Sequence, residues 1–293
     1  MPNLQKLLTH LEQQTGEALP NPSLTRVSGG DINTAYKLQA GGLVWFIKLN
    51  QARLLDMFSA EAAGLQALQS TGPIRTPKVI CYGEFHEHAY LLLEYIELRA
   101  LRGASSARFG QQLAQLHRQP QPYFGWQRDN TLGSTAQSNQ RHDNWISFWR
   151  QERLGKQLRL AAANGYAGTP QSRGEKLLEK LDGFFSSYQP RPALLHGDLW
   201  GGNAAADVLG NPVIFDPACY YGDREADIAM TELFGGFGQD FYAAYQTEYP
   251  LEAGYNTRKT LYNLYHILNH LNLFGGGYLG QANSMLERLL AEV

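Results

Sequence analysis

Residues 194–203 read Leu-Leu-His-Gly-Asp-Leu-Trp-Gly-Gly-Asn, and residues 213–217 read Val-Ile-Phe-Asp-Pro. Each stretch opens with a short apolar run, which is typical of a buried strand, and each then reaches a carboxylate, Asp198 or Asp216. Asn203 follows Asp198 by five positions, and the 18 positions from Asp198 to Asp216 leave room for a short hairpin. The pattern therefore predicts two strand ends that bring two carboxylates and one amide to a single site.

The residue types at this site suit phosphoryl transfer. Asp198 is the predicted base that accepts a proton from a hydroxyl group. Asn203 and Asp216 are the predicted oxygen ligands of Mg²⁺, a hard cation that neutralises the charge of bridging phosphates. His196 is predicted to orient the loop. Aspartate and asparagine are also common turn formers in glycine-rich loops, but the combined spacing favours the chemical interpretation.

Strand-forming residues and glycines alternate in the first part of the chain. Three strands are predicted between Leu24 and Leu49, separated by two glycine pairs, and two more at about 78–82 and 89–95. Helical spacing predicts helices over about 3–13 and 53–70. This part is therefore predicted to be a lobe with a five-stranded antiparallel sheet plus helices.

Lys48 lies among apolar residues on the third predicted strand, where its ammonium group would reach into a cleft. A point charge there can pair with the phosphates of ATP, and a helix carboxylate can hold it in place. Glu61, 13 positions later and inside the following predicted helix, is the expected partner. A strand lysine taken alone is more often a solvated edge residue, so the prediction depends on the order Lys48, Glu61, Asp198 along the chain.

Two further segments are predicted to contact the nucleotide through their backbone. Gly29 and Gly30 form a turn between the first two strands, where N–H groups could close over phosphates, although a tight hairpin would have the same sequence. Glu94, Tyr95 and Ile96 end the fifth predicted strand, and their donors and acceptors would face an adenine ring.

Long helical patterns dominate the chain after Glu97. They are predicted at about 105–118, 142–162, 173–187, 226–246, 255–273 and 281–291, with one interruption at 193–217. A chain of 293 residues is long enough for two lobes with a cleft between them. The predicted architecture is α+β, with an N-terminal ATP-binding lobe at 1–95 and a mainly helical catalytic and substrate lobe at 96–293.

Composition limits the partners and the compartment. A net charge of −2 gives no global field for a polyanion, so nucleic acid is not an expected partner. No stretch approaches the run of about 18 apolar residues that a spanning helix needs, so a membrane is not expected either. Two cysteines are too few for a disulfide framework or a four-ligand zinc site, and a reducing cytoplasm is predicted.

The sequence resembles the fructosamine kinases, also called ketosamine-3-kinases, in the aminoglycoside-phosphotransferase-like branch of the protein-kinase-like fold. The resemblance covers nearly the whole chain. Its most specific parts are residues 196–203 and the run Asp-Pro-Ala-Cys-Tyr-Tyr-Gly-Asp-Arg-Glu-Ala-Asp at 216–227, and it extends to residues 129–135 and 145–154. Generic small-molecule kinases share the loop with Asp198 and Asn203 but not, as a rule, these other segments.

The resemblance implies a two-lobed protein-kinase-like fold, with ATP and Mg²⁺ as cofactors. It implies transfer of the γ-phosphoryl group to the 3-hydroxyl of a ketosamine, a fructosamine or ribulosamine, free or on a glycated protein lysine. The product sheds its sugar, so the implied role is deglycation. Carried over, Asp198 is the base, Asn203 and Asp216 bind the metal, and Lys48 with Glu61 positions the phosphates. The glycine turn lacks the cysteine of some family members, which argues against control by a loop thiol.

The candidates for contact with such a substrate are Trp200, Tyr220, Tyr221, Asp223, Glu225 and Asp227. Trp200 lies beside the predicted base, and aromatic faces suit sugar rings. Asp223 and Glu225 lie at the start of a predicted helix, where a carboxylate could bind a secondary ammonium group. Acidic residues at a helix start also complement the helix dipole, so Asp223 is equally explained as a cap. His117, at the end of a helical stripe, is predicted to pack or to brace a loop.

Two other functions are compatible with the residues. One is a kinase for another small alcohol, of the aminoglycoside or choline type; a polycationic antibiotic would favour a strongly acidic cleft. The other is a catalytically silent nucleotide-binding module, which would be expected to have lost Lys48, Asp198, Asn203 or Asp216, although all four are present. The sequence makes no prediction of the oligomeric state.

Overall fold

The N-terminal part of the computed structural model is a five-stranded antiparallel sheet with two helices, and the structure describes residues 4–27 and 32–293. Its elements are α1 (Leu4–Thr15), β1 (Ser23–Val27), β2 (Thr34–Ala40), β3 (Leu43–Gln51), α2 (Leu55–Thr71), β4 (Val79–Phe85) and β5 (His88–Glu94). The strand order β1-β2-β3-β5-β4 places β3 at the centre. The predicted sheet is thus confirmed, while the predicted turn at Gly29 and Gly30 lies outside the described residues.

Side-chain alternation along β3 decides which way its lysine points. Trp45, Ile47 and Leu49 belong to the core on the α1 side of the sheet, together with Leu7 and Leu11 of α1, whereas Phe46 packs with the core on the α2 side. Since successive side chains of a strand point to opposite faces, Lys48 shares the face of Phe46. The lysine is therefore directed at α2, the helix that carries Glu61.

The C-terminal part is mainly helical. Its helices are α3 (Ala104–His117), α4 (Trp145–Phe148), a π-helical segment (Trp149–Leu154), α5 (Gly155–Ala163), α6 (Thr169–Glu179), α7 (Arg224–Leu233), α8 (Gln239–Glu248), α9 (Tyr255–Phe274) and α10 (Leu279–Leu290). Short 3₁₀ helices lie at Leu181–Phe185 and Gly276–Tyr278, and another, Ala52–Leu54, lies between β3 and α2 in the N-terminal part. Leu261, Leu264 and Leu268 of α9 are wholly buried, so this helix forms the centre of the lobe. No helix among the described residues has both the length and the apolar character to cross a membrane.

Short strands deliver the residues of the predicted site. β9 (Pro192–Leu195) pairs with β12 (Tyr220–Asp223), and it leads into the loop that contains Asp198. β10 (Ala204–Asp207) and β11 (Pro212–Ile214) form the hairpin predicted between the two aspartates, and β11 leads to Asp216. β6 (Leu98–Arg99) pairs with β10, so the chain leaves the N-terminal sheet after β5 and joins a C-terminal sheet within four residues.

Two predictions for the helical region are wrong. The helix predicted over 226–246 is two helices, α7 and α8, because Gly235 and Gly236 between them adopt positive φ angles of 93° and 72°, which a continuing helix cannot contain. The helical patterns are also interrupted more than once, since β7 (Asn130–Leu132) and β8 (Thr135–Gln137) form an additional hairpin. Strands of three residues are too short for an alternating pattern to show in the sequence.

Candidate active site

Lys48 joins two carboxylates from different parts of the chain. Its Nζ donates to Glu61 Oε1 at 2.7 Å and also pairs with Asp216 Oδ1. Burial by itself lowers the pKa of Lys48, but the charges of Asp216 and Glu61 raise it above the usual range, so the ammonium stays charged. Burial raises the pKa of Glu61 to about 7, although Lys48 opposes this. Burial acts in the same direction on Asp216, but Lys48 holds the pKa of Asp216 below its ordinary value.

Asn203 is folded back onto Asp198. The Asn203 Nδ2 donates to the main-chain oxygen of Asp198 at 2.8 Å and to its Oδ2 at 3.0 Å. Burial and the charge of Asp216 raise the pKa of Asp198 to about 7, against the opposing hydrogen bond from Asn203. A carboxyl group with a pKa near the working pH is well matched to proton transfer.

The backbone at Asp216 is in an uncommon conformation. Its φ of 56° lies in the left-handed region, which few non-glycine residues adopt. On one side Phe215 N donates to Asn203 O at 3.1 Å, and on the other Ala218 N donates to His196 O at 2.8 Å. Gly197 permits this approach, since a Cβ atom there would lie 2.1 Å from the oxygen of Ala218. The loop of Asp198 and the segment of Asp216 are therefore joined through their backbones.

Buried imidazole and carboxylate groups brace the same loop. His196 Nδ1 accepts from Asp198 N at 3.3 Å, which leaves the ring proton on Nε2 for donation to Phe215 O at 2.9 Å. Burial lowers the pKa of His196, in keeping with a neutral ring. These contacts agree with the orienting role that was predicted for it.

Asp227, which was a candidate for substrate contact, is buried and instead braces this loop. Its carboxylate accepts from His196 N at 2.7 Å and from Gly197 N at 2.9 Å. It also contacts His117 Nε2 at 3.3 Å, so the histidine braces the loop as predicted. Burial opposes the charge of Asp227, but His117 lowers its pKa below the ordinary value. An acidic residue in the first turn of a helix was the available signal, and it also fits a dipole contact.

Residues 3–292 match a family model described as fructosamine kinase. The chain belongs to the fructosamine kinase family. A probable ketoamine kinase of Synechocystis sp. is 48% identical over 288 residues, which cover 98% of this chain and 96% of the relative. A chloroplastic protein-ribulosamine 3-kinase of Arabidopsis thaliana is 41% identical over 278 residues, 94% of this chain and 85% of the relative.

The fold has a solved counterpart in the same family. The crystal structure of a putative fructosamine-3-kinase from Haemophilus somnus superimposes with a TM-score of 0.88 at 29% identity, covering 98% of this chain and 97% of that one. The two-lobed protein-kinase-like fold implied by the resemblance is thereby confirmed. Family membership likewise confirms the predicted class of enzyme, a ketosamine kinase.

In this fructosamine kinase family member, the predicted catalytic residues line one cavity of about 650 Å³. The charged part of the lining is Lys48, Glu61, Asp198 and Asp216, together with Asn203. Aromatic side chains make up another part of the lining, the aromatic wall: Trp200, Phe234, His266, His270, Phe274 and Tyr278. Ring centroids of successive members lie 6.2 Å apart for Trp200 and Phe234 and 4.9 Å apart for Phe234 and His270. Trp200 thus lies where a substrate contact was predicted, and the sequence analysis missed the other rings.

The segment predicted to face adenine lies outside the lining of this cavity. The carboxylate of Glu94 pairs with Arg75, which also donates to Asp207 Oδ2 at 2.7 Å on the β10–β11 hairpin. Tyr95 N donates to Val44 O at 3.4 Å. Glu94 therefore has a structural contact that ties the end of β5 to the C-terminal sheet, and adenine binding by Glu94, Tyr95 and Ile96 stays a prediction.

Asp223 and Glu225 are wholly buried and do not line the cavity. Asp223 Oδ1 accepts from Tyr188 OH at 2.7 Å and from Glu225 N at 3.0 Å, so it caps α7. Glu225 forms a two-point ion pair with Arg258 of α9, at 2.7 and 2.9 Å. These positions do not support substrate contact, and they agree with the alternative interpretation of Asp223 as a cap.

Proposed function

We propose that this chain transfers the γ-phosphoryl group of ATP to the 3-hydroxyl of a ketosamine, with Asp198 as the base and with Asn203 and Asp216 as Mg²⁺ ligands. The observation that carries the proposal is the convergence of Asp198, Asn203, Asp216 and Lys48 on one cavity that is also lined by aromatic side chains. These groups come from both predicted lobes, which we propose to be an ATP-binding lobe at 1–95 and a catalytic lobe at 96–293.

Asp198 has one carboxylate oxygen available for proton transfer. Its Oδ2 accepts the hydrogen bond from Asn203 Nδ2, which leaves Oδ1 for the proton of the acceptor hydroxyl. As that O–H bond breaks, the oxygen forms a bond to the γ-phosphorus and the bond between the γ-phosphorus and the bridging oxygen breaks, releasing ADP. His196 and Asp227 hold the loop during this step, through hydrogen bonds to backbone N–H groups on both sides of Gly197.

The donor set at Asn203 and Asp216 fits Mg²⁺. Because the Asn203 Nδ2 faces Asp198, its amide oxygen is directed away from that carboxylate. Within the described ranges no three His, Cys, Asp or Glu side chains form a metal cage. Mg²⁺ does not need one, since it is commonly held by one or two protein oxygens together with substrate phosphates and water. When bound, the ion would neutralise charge on the β- and γ-phosphates.

The proposed role of Lys48 is to position the phosphates. Its side chain is only 7% exposed, and Glu61 holds it from the helix side. In the structure it also pairs with Asp216, so a single cation contacts both the helix carboxylate and the metal-ligand carboxylate. An ammonium group in this position supplies a point charge for the α- and β-phosphates.

The aromatic wall supports a ketosamine rather than an aminoglycoside. Apart from Glu61, Asp198 and Asp216, the described residues that line the cavity include no acidic side chain, whereas a polycationic antibiotic would need several. Ring faces bind sugars by apolar contact and a single ammonium group by cation–π attraction. The relatives named above are a ketoamine kinase and a protein-ribulosamine 3-kinase, which supports a ketosamine as the acceptor.

We further propose that the acceptor can be a glycated lysine on a protein. Phe274, on the aromatic wall, is 56% exposed, so the cavity opens to the surface beside it. A ketosamine on a protein enters as the end of a lysine side chain, which an open cavity admits. Loss of the phosphorylated sugar would then restore the lysine. Both cysteines are free thiols, which supports the cytoplasm as the proposed compartment.

The test is Mg²⁺-dependent ATP consumption with ribulosyl-lysine, fructosyl-lysine, an aminoglycoside and choline, using Asp198→Asn as the blank. We expect turnover with the ketosamines alone, and ³¹P NMR should locate the phosphate on the 3-hydroxyl. Turnover with choline or the aminoglycoside alone would overturn the acceptor, and full turnover by Asp198→Asn would overturn the base.

A further inference from the structure

A buried pair of amides connects the β7–β8 hairpin to the segment that follows Asp216. Asn130 Nδ2 donates to Cys219 O at 2.8 Å, and Gln137 Nε2 donates to Ala218 O at 3.1 Å. The two amides also contact each other, since Gln137 Nε2 donates to Asn130 Oδ1 at 2.8 Å. Asn130 and Gln137 face one another across the open end of the hairpin. The hairpin therefore binds two consecutive carbonyl groups, two and three residues after Asp216, the proposed metal ligand.

Two further hydrogen bonds, from other side chains, fix the orientation of these amides. Tyr265 OH, from α9, donates to Gln137 Oε1 at 2.6 Å, and Asn139 Nδ2 donates to Asn130 Oδ1 at 3.0 Å. Both ends of each amide thus have partners, so a flipped amide would place donors against donors. Buried amides whose donors and acceptors are all satisfied favour one arrangement of the backbone they contact.

Arg153 anchors the far end of the network. It is wholly buried on the π-helical segment, where Nη2 donates to Asn139 Oδ1 at 2.6 Å and Nη1 to Ser138 O at 2.6 Å. Its guanidinium lies 4.0 Å from the ring centroid of Tyr220, and it has no ion-pair partner in the part of the chain that the structure describes. Burying a charge without a counter-charge is costly, and π-helical segments are frequent at functional sites. Stability alone does not account for this arrangement.

The strained backbone at Asp216 must be stabilised by contacts with other segments of the chain. Its left-handed φ of 56° is strained for a residue with a Cβ atom, and such residues persist where the surroundings over-determine them. Pro217 has no N–H to donate, and the two carbonyls that follow Ala218 N are those of Ala218 and Cys219. Those are the groups that Gln137 and Asn130 bind.

We infer that Asn130 and Gln137 are positioning residues that set the direction of the Asp216 carboxylate toward the metal, with Tyr265, Asn139 and Arg153 holding them in place. The inference rests on the proposed function, because it assumes that Asp216 binds a divalent cation. It gives a role to residues 129–135 and 145–154, which carried part of the family resemblance but contribute no group to the catalytic step.

The test uses Gln137→Met, which keeps the shape of the side chain and removes both hydrogen-bonding groups. Binding of Mn²⁺ to the complex of the protein with ADP is measured by electron paramagnetic resonance, and binding of ADP in EDTA by calorimetry. We expect Mn²⁺ affinity to fall about tenfold, since the carboxylate loses its orientation, while ADP affinity in EDTA changes less than about twofold.

The control is Tyr90→Phe on β5, which removes a buried hydroxyl in the N-terminal sheet. Tyr90 is as deeply buried, and its hydroxyl contacts His10 Nε2 at 3.1 Å in the core on the α1 side of the sheet, away from the β7–β8 hairpin. We expect a similar fall in Tm with unchanged Mn²⁺ affinity. If Gln137→Met does not fold, Tyr265→Phe removes only the hydroxyl that orients Gln137, and a two- to threefold loss is expected.

The outcomes separate this inference from the proposed function. Wild-type protein that binds Mn²⁺ and ADP, with hairpin variants that bind both equally well, would overturn the positioning role alone. Wild-type protein that binds no Mn²⁺ in the presence of ADP would overturn the proposed metal site, and the inference with it. Neither readout depends on turnover of a ketosamine, so an error in the acceptor would leave both intact.

Discussion

The carboxylates at the start of α7 and those in the cavity differ in how many of their oxygens are left without a hydrogen-bond partner and open to the cavity. At the start of α7, Asp223 and Glu225 are wholly buried, and their oxygens are taken up by tyrosine hydroxyls, a backbone N–H and Arg258. In the cavity, Asp198 keeps one oxygen for a ligand, and the Asp216 side chain is 43% exposed although it pairs with Lys48.

A raised pKa does not distinguish the two groups. Burial raises the pKa of Glu225 to about 7, even though Arg258 opposes it, and burial also raises the pKa of Asp198 to about 7. Perturbed carboxylates are candidates for function, but structural ion pairs perturb them as well. Access from the cavity and an unpaired oxygen distinguish Asp198, the proposed base, from the structural carboxylate Glu225.

The largest expected effect in this comparison is that of Asp198→Asn, which tests the proposed base. The variant keeps the shape and loses the proton acceptor, so we expect kcat to fall by about 10³-fold, within the range for general-base catalysis. ATP affinity, measured by calorimetry, should change little. A variant with wild-type kcat would show that this carboxylate is no more catalytic than Glu225.

The α7 group should respond in stability instead. Arg258→Met leaves Glu225 buried without its partner, and removal of one partner of a buried pair costs about 3–5 kcal/mol. Urea denaturation should therefore show a lower midpoint, whereas kcat per folded molecule should stay within about twofold. A loss of kcat like that of Asp198→Asn, with stability unchanged, would contradict the assignment.

Asp216→Ala tests the accessible carboxylate that pairs with Lys48. The variant loses a proposed metal ligand, so we expect binding of Mg²⁺·ATP to weaken by about tenfold or more. The comparison is with ATP binding in EDTA, which should be less affected. Equal affinity in both conditions would remove Asp216 from the metal site and leave its pairing with Lys48 as the whole of its role.

The pH dependence of kcat/KM should also distinguish Asp198 from Glu225, with a smaller effect. The base must be ionised to accept a proton, so kcat/KM should rise with pH through the raised pKa of Asp198, about 7, and level off above it. Glu225→Gln should retain this limb, because the titration of Glu225 is not part of the step. A profile that is flat from pH 5 to 9 in the wild type would argue against Asp198 as the titrating group.

The same shift has a consequence for stability. A carboxyl group whose folded pKa lies above its unfolded value binds its proton more tightly in the folded state, so stability falls as pH rises from the unfolded pKa, about 4, to about 7. The Asp198→Asn variant has no carboxyl group at this position, so its stability does not fall in this way as pH rises. We expect its Tm to exceed that of the wild type at pH 8 and to approach it at pH 4, by differential scanning calorimetry without ligands.

Local patterns were sufficient for most of the fold. The five strands and α2 follow from alternation, glycine breaks and helical spacing over stretches of about 5 to 17 residues. The errors fall where local patterns are weak. The break between α7 and α8 depends on two glycines in positive φ, and the β7–β8 hairpin depends on hydrogen bonds to Ala218 and Cys219, some 80 positions away.

The sequence by itself determined the chemical groups of the site and their order, because the spacing of His196, Asp198, Asn203 and Asp216 lies within one short segment of strand, loop and hairpin. Only the tertiary structure decided that Lys48 meets Asp216 across 168 positions, that Asp223 and Glu225 turn away from the cavity, and that α9 contributes rings to its aromatic wall. Those outcomes depend on how β3, α7 and α9 pack against distant elements, and packing between distant elements leaves no local pattern.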